Sequence, residues 1–213
     1  TCHQDRLRLP DEPANAKLAE RQCRCRHAIK YRQLPPFRGD KRHGKQPRAQ
    51  MKALLVVYHS MTGGTRQMVE ALLAGASQEP AVITKLLAAP MTQTRDVIDA
   101  AGYVFATPEN LAAMSGLMKD FFDRCYYPAL DQINGRPYLS MICAGSDGSN
   151  AARQIARIAT GWRLREIADP LIVCTRAQTP QAILAPKTIG AADLARCRDL
   201  GTQFAAGIAL GIY

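Results

Sequence analysis

Five short apolar runs alternate with helical stretches along most of this chain, and that alternation limits the fold more than any other feature. The runs are Ala53–Tyr58, Val82–Leu87, Tyr103–Thr107, Tyr138–Ala144 and Leu171–Cys174. Between and after them come stretches with helical periodicity, at about 65–76, 94–100, 116–126, 151–162 and 191–210. In the third, Leu117, Met118, Phe121, Phe122 and Cys125 recur at the spacing of one buried helix face. The runs are apolar along their length rather than at every second residue. Strands of that kind are buried on both faces, so the pattern predicts an α/β fold with a parallel sheet between two helical layers. Right-handed crossovers leave few topologies. Sheets of this type take ligands at the carboxyl ends of their strands, where the winding direction reverses. Three loops fall at such ends: Ser60–Thr65, Pro108–Ser115 and Gly145–Asn150. All are polar, carry glycine or hydroxyl groups, and exceed a minimal connection.

The first loop joins a strand directly to a helix as His-Ser-Met-Thr-Gly-Gly-Thr, residues 59–65. The first amides of a helix lack intrahelical partners, and the helix dipole adds partial positive charge there. Gly63 and Gly64 can adopt positive φ and let backbone approach an anion. Ser60, Thr62 and Thr65 add hydroxyl donors. A phosphate monoester can be held by such a turn without Lys or Arg. Taken alone, the turn reads equally as an ordinary helix start capped by Thr62 or Thr65. No G-x-x-x-x-G-K-[ST] occurs, which excludes a nucleoside-triphosphate loop, and no G-x-G-x-x-G, which excludes the dinucleotide fingerprint.

Charge is unevenly distributed. Of the 28 Lys+Arg and 18 Asp+Glu, 13 and 5 lie in residues 1–50, leaving 15 and 13 in residues 51–213. The first 50 residues carry five prolines, scattered charge and no sustained periodicity. They read as a basic, disordered extension with one short helix around Ala14–Ala28. Met51 stands just before the first strand, and it reads as the start of the natural protein, with residues 1–50 arising from a misplaced start. Cys23-Arg-Cys25-Arg-His27 lacks the second pair that a zinc site needs. The basic run Arg38–Arg48 reads as a solvated tail rather than a nucleic-acid-binding element. Cys125, Cys143, Cys174 and Cys197 stand singly, most of them in apolar surroundings, as packed thiols in the reducing cytoplasm would. No apolar run is long enough to span a membrane.

Three segments together resemble the flavodoxin-like superfamily, and within it the NAD(P)H-dependent FMN and quinone reductases. Ser60-Met-Thr-Gly-Gly-Thr65 is similar to the S-x-T-G-x-T phosphate loop. Thr107-Pro-Glu-Asn-Leu-Ala-Ala-Met-Ser-Gly-Leu-Met-Lys-Asp-Phe-Phe-Asp-Arg124 resembles the reductases' proline-containing loop and following helix. Cys143-Ala-Gly-Ser-Asp-Gly148 stands in the place of the third flavin loop. The likeness covers residues 51–213. It implies a flavodoxin-like three-layer sandwich with a five-stranded parallel sheet in the order 2-1-3-4-5, and bound FMN. By position, Ser60, Thr62, Gly63, Gly64 and Thr65 hold the phosphate. Pro108, Glu109, Asn110 and Leu111 line the edge and one face of the flavin ring. Ala144, Gly145, Ser146, Asp147 and Gly148 lie against its pyrimidine end. Asn110 stands where the reductases often carry an aromatic residue, so ring stacking is weaker here or comes from a partner subunit.

The implied activity passes a hydride from NAD(P)H through FMN to a quinone, a free flavin or a similar small acceptor, with no catalytic side chain of the protein's own. A homodimer or tetramer is implied by the resemblance alone. Two other readings stand beside it. One is a flavodoxin-type electron carrier without NAD(P)H turnover, although carriers are usually strongly acidic so as to dock basic partners. The other is a non-catalytic binding protein on the same fold. Asp147 reads either as a residue facing solvent or the ribityl chain, or as a turn residue beside Gly148. His59, next to the turn, reads as a strand-end histidine packed on the sheet rim or as a phosphate partner. Lys119, Asp120, Asp123 and Arg124 read as surface pairs one helical turn apart.

Overall fold

A computed structural model describes residues 51–213. The expectations for residues 1–50 lie outside the described residues. β1 (Lys52–Tyr58) leads through a tight turn into α1 (Gly64–Ala76). β2 (Val82–Ala88), α2 (Thr94–Asp99), β3 (Gly102–Asn110) and the two-residue β4 (Ala113–Met114) follow. Then come α3 (Gly116–Ala129), β5 (Pro137–Ala144), α4 (Ser149–Gly161), β6 (Arg165–Glu166), β7 (Leu171–Cys174), α5 (Pro180–Leu184) and α6 (Ala191–Leu210).

The main strands are parallel and run β2-β1-β3-β5, with β6 and β7 both on the outer edge of β5. β6 pairs with the start of β5 at Pro137 and Tyr138, and β7 with its end from Met141 to Ala144. The fifth position of the sheet is thus one interrupted strand. Asp169-Pro170 lies in the gap, and proline cannot donate to the ladder. The order is the expected one, with β6 added.

Successive residues of β1 face opposite layers. Leu55 and Val57 join the core beneath α3 and α4, and Leu54 and Val56 join the core beneath α1 and α6. The first layer is aromatic. Phe105 is surrounded by Tyr103, Phe121, Phe122, Tyr138 and Trp162 at centroid distances of 5.0–6.3 Å. Each such side chain, fully buried, contributes about 1.5–3 kcal/mol. In the second layer α1 and α6 approach backbone to backbone. A Cβ on Gly75 would stand 2.0 Å from the Arg198 carbonyl oxygen, and one on Gly201 2.0 Å from that of Leu72. Among the described residues no helix is long and apolar enough to cross a membrane.

One expected loop is a regular element. Instead of irregular chain from Pro108 to Ser115, β3 continues to Asn110 and turns back as β4, pairing Glu109 with Met114 and Asn110 with Ala113. The two turn residues, Leu111 and Ala112, have φ of 50° and 57°. A two-residue hairpin needs positive φ at both positions, which normally selects Asn-Gly. Non-glycine residues held there cost on the order of 1–3 kcal/mol each. The hairpin is tied to α4: the Asn150 side-chain Nδ2 donates to the Ala112 carbonyl, and the Met114 backbone amide donates to Gln154 Oε1 at 3.0 Å.

Candidate functional site

The carboxyl ends of β1, β3 and β5 finish side by side, because Tyr58 registers with Ala106 and Pro108 with Cys143. The chain reverses its winding between β1 and β3, so the three loops converge there. They enclose a cavity of about 480 Å³. From the first loop Ser60, Met61, Thr62, Gly64 and Thr65 line it. The hairpin contributes Pro108, Glu109, Asn110, Leu111 and Ala112, and the end of β5 with its loop contributes Cys143, Ala144, Gly145 and Ser146. Gly63, Asp147 and Gly148 stand outside this lining.

Gly63 caps α1 at φ 87°, and no acidic residue stands in the helix's first turn. Among the described residues no carbonyl accepts from the amides of residues 61–65; the first amide of the turn with a partner is Arg66, 3.3 Å from Ser60 Oγ. Thr65 is 1% exposed, and among the described residues its hydroxyl oxygen has no hydrogen-bond partner. A buried hydroxyl without a partner is costly, and native structures keep few. A Cβ on Gly64 would lie 2.5 Å from Cys143 Sγ. The turn therefore rests directly on the buried thiol, and burial pushes that thiol's pKa up. The result is a dry floor under an open set of donors.

The other helix that starts here is closed. Glu109 Oε2 accepts from the Gly148 amide at 2.8 Å, and Oε1 from the Ala151 amide at 3.2 Å. One carboxylate thus caps α4 and fixes the third loop against the hairpin. Gly148 has φ 87°, and a Cβ there would stand 2.7 Å from Ile172. Asp147 points away: its carboxylate accepts from Ser149 Oγ at 2.6 Å, and the residue is exposed. With α4 neutralised by Glu109, the α1 turn is the end of the cavity suited to an anion.

His59 does not reach the cavity. Its amide donates to the Ala106 carbonyl at 3.0 Å, Nδ1 is buried with no partner among the described residues, and burial lowers its pKa. Lys119 pairs with Asp123 and Arg124 with Asp120 on the outside of α3. Arg124 also donates to the Thr92 and Ala89 carbonyls, which fastens α3 to the chain after β2.

Four lining residues had no signal in the sequence: Thr175, Ala177, Ile183 and Lys187. They lie on the strap from β7 to α6, which contains α5, whose N-cap is Thr179. Gln67 holds the strap down. Its Nε2 donates to the Lys187 carbonyl at 2.6 Å and the Gly63 carbonyl at 3.1 Å, and its Oε1 accepts from the Ile189 amide at 3.1 Å. The Lys187 amide donates to the Thr62 carbonyl at 2.8 Å. Among the described residues no aromatic side chain lines the cavity.

Solved structures with this architecture include an archaeal flavodoxin, 18% identical, with a TM-score of 0.59, covering 73% of this chain and 98% of that one. A flavodoxin described as WrbA-like from Agrobacterium tumefaciens is 18% identical, with a TM-score of 0.53, covering 75% and 98%. The flavodiiron protein of Giardia intestinalis is 20% identical, with a TM-score of 0.59, but this chain covers only 37% of it. The fold is flavodoxin-like. Within it, the sequence model of the NADPH-dependent FMN reductases matches residues 79–177, from the residues before β2 to those just after β7. That stretch, which holds the hairpin and the third loop, is an FMN-reductase-type segment. A flavodoxin of Aquifex aeolicus is 27% identical over 106 residues, half of this chain and 56% of that protein.

Proposed function

We propose that this protein is an FMN-binding flavoprotein oxidoreductase, reduced by NAD(P)H and reoxidised by a small acceptor such as a quinone or a free flavin. The observation that carries the reading is the pairing of an open anion-receiving turn at α1 with a neutralised helix start at α4, across one cavity. The residues present fit FMN. The amides of residues 61–65 and the unpartnered Thr65 hydroxyl suit its phosphate. The apolar wall of Cys143, Ala144 and Ala112 suits a planar ring and excludes water.

When bound, FMN supplies the two-electron chemistry. The chain's own residues position it. Glu109, held by two amides, keeps the third loop in place and keeps its own charge turned toward α4. Leu111 and Ala112 form the hairpin edge above the cavity. Lys187, Ile183 and Ala177 bring the strap over the remaining side.

The test is an anaerobic titration of the FMN-loaded full chain with NADPH and with NADH, followed by addition of a quinone. Bleaching of the flavin band by a nicotinamide, and its return with the quinone, is the expected result. A bound band that neither nicotinamide bleaches would favour an electron carrier.

A further inference from the structure

The strap between β7 and α6 crosses from the third loop to the first, and it is fastened at both ends. The Thr175 amide and hydroxyl donate to the Ala144 carbonyl at 2.8 and 3.1 Å, and a Cβ on Gly145 would stand 2.8 Å from the Ala177 carbonyl oxygen. At the far end the Lys187 backbone bonds Thr62 and Gln67, and Ile189 is buried. Between these anchors residues 178–186 are all exposed, and α5 has no buried residue. Every hydrogen bond described for that stretch stays inside the strap. Thr179 Oγ1 accepts from the Ala182 amide at 3.2 Å, and the Ile183 and Ala185 amides donate to the Thr179 and Gln181 carbonyls at 2.8 and 3.0 Å. The Lys187 ammonium spends its three N–H groups on the carbonyls of Ala182 at 2.6 Å, Ile183 at 2.9 Å and Ala185 at 2.6 Å. A helix of five residues is too short to persist in water by itself, so these caps hold it.

The capped helix leaves Ile183 44% and Leu184 71% exposed. Ile183 lines the cavity and Leu184 does not. Among the described residues no aromatic ring lines that cavity, so a flat ligand in it has no stacking partner there. We propose that α5 is a self-contained cover for the flavin ring, with Ile183 as its contact and Lys187 as the positioning residue that holds the helix together. A ring in the cavity supplies the apolar surface that α5 lacks in the free chain. The coupling is reciprocal: the factor by which the ordered strap tightens the ring is the factor by which the ring favours the ordered strap. The proposal rests on the flavin reading above.

The experiment uses the full chain as wild type, Ile183→Ala, Leu184→Ala and Lys187→Met. Dissociation constants for FMN and riboflavin come first, then amide hydrogen exchange of the peptide covering residues 177–187, with and without saturating FMN. Ile183→Ala should weaken FMN and riboflavin alike, by about fivefold, the scale of covering one half-exposed apolar side chain. Alanine is the better helix former, so that loss cannot come from unwinding α5. FMN should slow exchange of the wild-type strap by about the same fivefold, and that of Ile183→Ala much less. Leu184→Ala should match wild type in both readouts. Lys187→Met should speed exchange of the strap in the flavin-free chain and weaken both flavins, with the global Tm unchanged because residues 178–186 bury nothing in the core. Flavin bound with strap exchange unchanged would overturn the cover and leave the flavoprotein reading standing. A loss confined to FMN, or equal losses in Ile183→Ala and Leu184→Ala, would do the same. A chain that binds neither flavin would refute both.

Discussion

Replacing Glu109 by alanine takes the acceptors from two backbone amides at once. Oε2 and Oε1 hold the Gly148 and Ala151 amides at 2.8 and 3.2 Å, and both donors belong to the start of α4. A hydrogen bond to a charged group contributes about 1.5–3 kcal/mol, and the favourable carboxylate–dipole interaction is part of that. Glu109 is only half-buried, so solvent screening reduces each bond to about 1 kcal/mol and the pair to about 2 kcal/mol. In a domain of this size that corresponds to a Tm lower by about 4–8 °C. Glu109→Gln keeps an acceptor without the charge and should lose roughly half as much. Asp147→Ala removes an exposed carboxylate that bonds only the Ser149 hydroxyl, and should leave the Tm in place. Unfolding is read from the fluorescence of Trp162, the single tryptophan of the chain, which is fully buried. An unchanged Tm in Glu109→Ala, or an equal loss in Asp147→Ala, would refute the assignment of Glu109 as the cap that holds the third loop.

Gly75→Ala and Gly201→Ala each force a Cβ onto a carbonyl of the facing helix. Each should cost about 3 kcal/mol, measured by urea unfolding. The His59 pKa is lowered by burial, so the unfolded chain binds a proton in acid that the folded chain resists. Stability should therefore fall as pH drops below about 6.5, the ordinary histidine value, and Tm measured from pH 7.5 to 5.5 should fall less in His59→Gln than in wild type. Asn110→Tyr puts an aromatic ring on the hairpin beside the cavity and should tighten FMN severalfold, on the order of 1 kcal/mol of stacking, read by fluorescence quenching.

The strands and long helices were legible because their apolar spacing is local. The bounds of β7 and α6 match the expected ones, and β1 and α1 differ by one residue at the start. The hairpin was not legible: Leu111-Ala112 carries none of the chemistry of a two-residue turn, and its backbone is held by Asn150 and Gln154 some forty residues away. The strap was hidden for the same reason. Gln67 looks like any exposed helix residue until residues 187 and 189 are brought against it, 120 and 122 positions further on. Glu109 was placed among the lining residues from its sequence position, but its bonds to Gly148 and Ala151 needed the register of β3 beside β5.

Whether the three loops form one FMN site is measured most directly at Ser146. It is exposed and lines the cavity, so Ser146→Trp is expected to fill the cavity without disturbing the core. Titration of FMN into wild type and variant, followed by flavin fluorescence, is predicted to show one equivalent bound by wild type and none by Ser146→Trp, with the two proteins melting together. Equal binding by both, or no binding by either, would contradict the account.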